Sequence, residues 1–167
     1  YAIDPYAVSV CTNGSKGYLV DINSSATMPE NWLSDTRPPL EHINDSIIYE
    51  MHIRDFSINN KDVSKDKQGK FLGLAESGRL CDDSTQVTTG LDHLTELGIT
   101  HVHLLPFFDF SSVDERIDND SSNRNWGYDP QNYNVPEGSY SSDANNPVTR
   151  ILELRTAIQK FHQKGLR

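Results

Sequence analysis

Cysteine is almost missing from this sequence. Cys11 and Cys81 are the only two among 167 residues, most of a domain apart and without a Cys-x-x-Cys spacing. That excludes a disulfide framework, a cysteine zinc site and a dithiol redox motif, and the pair reads as two unpaired small apolar side chains, with a single disulfide left open. Long apolar runs are missing too, so no membrane span is expected. The opening residues, Tyr1-Ala2-Ile3-Asp4-Pro5, lack the charged and apolar regions of a signal peptide. Localisation stays open between cytoplasmic and secreted, because the chain starts without Met, ends in Lys164-Gly165-Leu166-Arg167, and reads as a piece of something longer. Basic charge is scarce: 15 Lys and Arg against 24 Asp and Glu give a net charge of -9 and a pI near 5.0. Such a surface repels phosphate backbones and anionic lipid, so neither nucleic acid nor membrane is expected as a partner. Neutral hydroxyl-rich ligands are compatible with it. A hydrophobic content of 35% with 23% charged residues fits an ordinary globular core.

Residues 1–46 are rich in turn formers, with Asn13-Gly14 between the apolar stretches Ala7-Val8-Ser9-Val10 and Tyr18-Leu19-Val20, and with Pro29, Pro38 and Pro39 following. They predict a hairpin and then an extended linker. The first strong strand is Ile47-Ile48-Tyr49-Glu50-Met51-His52-Ile53, dense in β-branched and aromatic residues. Residues 57–87 are polar and aperiodic, as in a long loop. Thr88 and Thr89 can cap a helix with Leu91, Leu94 and Leu97 on one side and Gly98 as its stop. The run Ile99-Thr100-His101-Val102-His103-Leu104-Leu105-Pro106 predicts a buried second strand. Residues 107–146 read as another long irregular loop. Asn146-Pro147 then opens a helix bearing Val148, Ile151, Leu152, Ile158 and Phe161 on one face and ending near Gly165. Two strand-loop-helix units with long βα loops and a short αβ turn predict an α/β chain with parallel pairing and a site at the carboxyl ends of the strands, in either a barrel or an open sheet.

The stretch Asn125-Trp126-Gly127-Tyr128-Asp129-Pro130 lies in the second long loop. A sugar presents an apolar C–H face and a hydroxyl rim, so its site needs an aromatic plate beside carboxylates and amides. This hexapeptide holds all three, although the same aromatics could instead anchor the loop to the protein. Asn125 and Trp126 are read as substrate-facing or as shaping the loop. His52, His93, His101 and His103 have no metal-ligand spacing and read as structural. Asp114, Glu115, Asp118 and Asp120 lack the glycine and terminal Glu of an EF-hand loop and read as a solvated charge run.

The hexapeptide resembles the hallmark Tyr-Asn-Trp-Gly-Tyr-Asp-Pro motif of type I pullulanases, in glycoside hydrolase family 13, with Arg124 standing where that family usually has Tyr. Residues 48–57 resemble the family's first barrel strand, and residues 90–106 resemble its first helix and second strand. Asp4-Pro5-Tyr6-Ala7 and Asn13-Gly14 resemble the tail of a β-sandwich carbohydrate-binding module. The resemblance implies the first two βα units of a (β/α)8 TIM barrel over residues 47–167, preceded by a β-sandwich remnant plus linker over residues 1–46. It implies an α-glucan partner, with Tyr128 stacking on the sugar beside the cleaved bond and Asp129 next to it, and with the remainder of the parent barrel packing against this chain. The chemistry implied is retaining hydrolysis of α-1,6 bonds by two carboxyl groups roughly 5 Å apart. Those carboxyls lie beyond residue 167 in the family, so no catalytic residue is assigned here and the isolated chain is expected to be inactive. Glu50 and Asp55 read as structural, with Glu50 in an ion pair with Arg54. No cofactor is implied, and calcium in the parent has no supporting motif in this chain. Two alternatives stand beside this: a non-catalytic carbohydrate-binding or interaction module, and an α-1,4-acting or branching relative.

Overall fold

A computed structural model describes residues 2–80, 87–117 and 123–167, apart from the side chains of Arg79 and Leu80. In chain order the elements are β1 (Ile48–Met51), α1 (Ile53–Ser57), α2 (Phe71–Leu74), β2 (Arg79–Leu80), β3 (Thr88–Thr89), α3 (Gly90–Glu96), β4 (His101–Leu104), β5 (Phe108–Phe110), β6 (Pro130–Pro136) and α4 (Thr149–Gln163). Cys81, Asp118 and Asp120 lie outside the described residues, so neither the pairing of Cys11 with Cys81 nor the full acidic run is tested.

The two β-branched runs form a parallel pair, as expected. β1 lies beside β4 with Ile48 opposite His101 and Met51 opposite Leu104, and α3 connects them. The even-numbered backbone of β4 serves its other edge: Arg167 N–H donates to the Thr100 carbonyl, and Val102 N–H donates to the Arg167 carbonyl, both at 2.9 Å. Each of the described sheets has two strands, and no closed barrel forms among the described residues.

In α3, Leu91 and Leu94 are fully buried while Leu97 is half exposed. A strict three-residue spacing drifts around a helix: six residues at about 100° each carry Leu97 roughly 120° round from Leu91. Thr89 occupies the N-cap position without a side-chain cap bond. Its hydroxyl accepts from Asn60 Nδ2 at 3.1 Å, and that of Thr88 donates to Glu96 at 2.6 Å, so the expected threonine cap does not form. α4 starts two residues after Pro147, with Asn146 Oδ1 accepting from Val148 N–H at 3.0 Å. It ends as predicted, with Gly165 at φ +80° and Leu166 N–H bonded back to the Phe161 carbonyl. Ile151, Ala157 and Phe161 meet Met51, Ile53, Phe71, Leu74, Leu91, Leu94 and Tyr140 in one hydrophobic core.

The two long loops hold more order than the sequence predicts. The first contains the turn of helix α2. The second contains an antiparallel hairpin, β5 with β6, whose register shifts on both sides of Asp109. Residues 2–46 contain no strand. The expected hairpin reduces to one bridge, Val10 with Gly17, around an Asn13-Gly14 turn with both residues at positive φ. The segment lies on α4: Arg155 Nη1 donates to the Thr27 carbonyl at 3.0 Å, and Gln159 Nε2 to the Glu30 carbonyl at 2.9 Å.

Candidate functional site

The aromatic loop sits where the two parallel strands end. His52 follows β1 directly, and Pro106 stands two residues past β4. Gly127 takes φ +88°, and a Cβ built on it would lie 1.9 Å from the Pro106 carbonyl oxygen, so only glycine permits this contact. The Asn125 carbonyl comes within 2.6 Å of His52 Nε2. Because His52 Nδ1 accepts from Asp55 N–H, Nε2 carries the ring hydrogen and donates it to that carbonyl. Tyr140, buried in the core, places its hydroxyl 3.2 Å from the same nitrogen.

Of the four residues singled out from the sequence, Tyr128 is the most open, 71% exposed. Trp126 is 55% exposed. Its ring meets His52 edge-on at 6.2 Å, and the Arg124 guanidinium lies 4.0 Å from its centre. Thus Trp126 both shapes the loop and reaches solvent. Asn125 turns inward: Nδ2 donates to Asp129 Oδ1 at 2.9 Å and to Ser112 Oγ at 2.6 Å, while Oδ1 accepts from Gly127 N–H at 2.7 Å. Asp129 Oδ2 accepts from Ser112 Oγ at 2.6 Å and from Ser111 Oγ at 3.2 Å. Burial works against ionisation of Asp129, but the bonds from Ser112, Asn125 and Ser111 outweigh it and hold the carboxyl below the usual range. It is an ionised clamp across the mouth of the β5–β6 hairpin. Together these contacts form a hydrogen-bonded loop with Tyr128 as its most exposed ring and a rim of amide and carboxylate groups.

Neither Glu50 nor Asp55 is placed for acid–base work. Glu50 pairs with His103 across the β1–β4 ladder at 3.4 Å, not with Arg54 as the sequence suggested, because a strand side chain faces its cross-strand partner. Arg54 instead reaches Asp55 at 3.0 Å. The bond from Arg124 holds the Asp55 carboxyl below its ordinary range, which leaves it without a proton to donate at neutral pH.

A second carboxylate group lies away from the loop. Asp109, Glu115 and Glu137 are buried and offer oxygens within 4.8 Å of one another, a donor set that could hold a cation. The fully buried Arg150 supplies one: it reaches Glu115 at 3.2 Å and Asp109 at 3.4 Å, and the carbonyls of Pro136 and Ala144 at 3.0 Å. Glu115 is therefore not part of a solvated run, since folding carries it under α4. Asp114, with Arg116 and Asn13 bonded to it, does stay at the surface. His52, Arg124, Ser111 and Ser112 were missed as parts of the loop site. The position of His52 immediately after a strand, and Arg124 standing where the motif usually has Tyr, were the available signals; the serines carried none.

No protein-family model matches this chain. It is 40% identical over 165 residues to a pullulanase of Bacillus subtilis, covering 99% of this chain and 21% of that protein. It is 35% identical over 198 residues to chloroplastic pullulanase 1 of Arabidopsis thaliana, covering 99% and 20%. Among solved structures, the pullulanase of Paenibacillus barengoltzii in complex with maltohexaose and alpha-cyclodextrin matches with a TM-score of 0.89 and 52% identity, over 99% of this chain and 25% of that one. The pullulanase of Bacillus acidopullulyticus matches with a TM-score of 0.85 and 41% identity, over 99% and 19%. The chain thus spans about a fifth of the length of the curated relatives it matches.

Proposed function

This chain is a homologue of one stretch of the pullulanases over 99% of its length, and we propose that the protein it belongs to hydrolyses α-1,6-glucosidic links in pullulan, starch, amylopectin or glycogen. In this reading β1 and β4 are the first two strands of a (β/α)8 barrel, residues 1–46 are the end of a β-sandwich carbohydrate-binding module with its linker, and the remainder of the barrel packs on the open strand edges. Three features support it. The strands are parallel and joined through a helix, Arg167 already bonds along the free edge of β4, and the polar and aromatic loop stands at the carboxyl ends of the strands. The Paenibacillus barengoltzii relative was solved with maltohexaose and alpha-cyclodextrin, which favours glucan as the ligand.

The single observation that carries the proposal is the outward Tyr128 ring, held at the strand ends by the Gly127–Pro106 contact. Tyr128 stacks on a glucose unit next to the bond cleaved, and Asp129 and Asn125 hold the loop that presents it. The cleavage itself, with retained configuration, needs a nucleophilic carboxylate and a carboxylic acid roughly 5 Å apart. Among the described residues the loop holds no such pair; in this reading those groups belong to the rest of the protein and the chain acts as substrate platform.

In the full-length protein, Tyr128→Ala should lower kcat/KM on pullulan about 10- to 100-fold, the loss of an aromatic stack and its burial, and Tyr128→Phe should keep most of it. Maltotriose should be the product of cutting only α-1,6 links. Unchanged kinetics in Tyr128→Ala would remove the loop from the active site. Release of other oligosaccharides would point to an α-1,4-acting or branching relative, and binding without hydrolysis to a non-catalytic module.

A further inference from the structure

The aromatic loop has an anchor outside its hexapeptide. Arg124 donates from Nε and Nη2 to Asp55 Oδ2 at 3.0 and 2.6 Å. Asp55 lies on α1, in the segment that follows β1, and is held in turn by Arg54 Nη1 at 3.0 Å. The same Arg124 guanidinium covers the Trp126 ring, its carbon 4.0 Å from the ring centre. One side chain therefore ties the loop after β4 to the segment after β1 and takes up one face of the indole. His52 holds the indole from the edge, and the ring is still half exposed. A planar guanidinium can stack and fork at once, which an ammonium cannot.

Resting on the glucan reading above, we propose that Arg124 is a positioning residue for glucan recognition: it occupies one face of Trp126 and locks that ring to Asp55, so that the loop meets the sugar with a single Trp126 face and the Tyr128 plate already ordered. Arg124 acts through Trp126 and touches no reacting atom. Without it, ordering the ring is left to the substrate, and that cost falls on binding and not on the chemical step.

The test uses the full-length protein with pullulan as substrate. Arg124→Ala should raise KM about three- to tenfold with kcat within about twofold, the scale expected for losing one exposed ion pair and one exposed cation–π contact. Arg124→Lys should recover less than half of that effect. Asp55→Ala, which breaks the tie while leaving the stack, should raise KM in the same direction and serves if Arg124→Ala does not fold. Adding Trp126→Ala to Arg124→Ala should raise KM no further than Trp126→Ala alone. An unchanged KM in Arg124→Ala, a fall in kcat and thermal midpoint with KM unaltered, or additive effects of the two alanines would each overturn the proposal. If Tyr128→Ala raises KM and Arg124→Ala does not, this inference alone fails; if Tyr128→Ala also leaves KM unchanged, the glucan reading fails first.

Discussion

At Gly127 two constraints coincide, a positive φ and a carbonyl oxygen where a side chain would begin. Gly127→Ala should therefore destabilise the loop by roughly 2–4 kcal/mol, combining backbone strain with a steric clash. A differential thermal unfolding measurement beside the native protein checks this, and a shift within error would show that the loop relaxes away from Pro106. That the neighbouring residues combine an aromatic plate with an amide and a carboxylate, a set compatible with a sugar, was readable from side-chain type. Their division of labour was not. Asn125 spends its side chain on Asp129, Ser112 and Gly127, whereas Tyr128 keeps its ring in solvent. Those fates depend on where Pro106 and Ser112 arrive, which the hexapeptide does not encode.

Among the elements, the four with clear periodicity or β-branched density were legible: β1, α3, β4 and α4. The β5–β6 hairpin was not, because its strands carry Pro130 and Pro136 at their pairing ends and shift register at Asp109. Helix α4 does more than close the core. From its first turn it extends Arg150 under the hairpin, where the guanidinium pairs with both Asp109 and Glu115 in a buried site. Its Nε has no hydrogen-bond partner, so the arrangement already carries some desolvation cost. Arg150→Ala would leave buried carboxylates without a counter-charge, a loss of about 3–5 kcal/mol on denaturant unfolding. An effect below about 1 kcal/mol would mean that water or a solution cation replaces the guanidinium.

On the scale of the whole molecule, the same cluster governs how stability depends on pH. It joins β5, the Glu115 loop, the end of β6 and α4, and holds three carboxyls against one guanidinium. Burial, reinforced by the charge of Glu115, pushes the Glu137 carboxyl up from 4.5 to about 8, and burial also raises Asp109. A carboxyl raised by folding binds its proton more tightly in the native state, so its stabilising contribution is complete below the unfolded value and is lost as pH climbs through the folded one. The lowered carboxyls of Asp55, Asp92 and Asp129 act in the opposite sense, below their ordinary value of 3.8. Between these windows Glu137 and Asp109 set the slope: the thermal midpoint should fall as pH rises from about 5 to about 8, and Glu137→Gln should flatten it. A midpoint that rises over that range would contradict the assignment. The amino-acid order alone pointed to the parallel strand-helix-strand frame and to an aromatic loop compatible with a sugar, because hydrophobic period and side-chain chemistry are local properties. Only tertiary structure decided which ring is the more exposed, that Glu115 is buried, and that Arg124 reaches Asp55 and Arg150 reaches Glu115, because each depends on contacts between residues tens of positions apart.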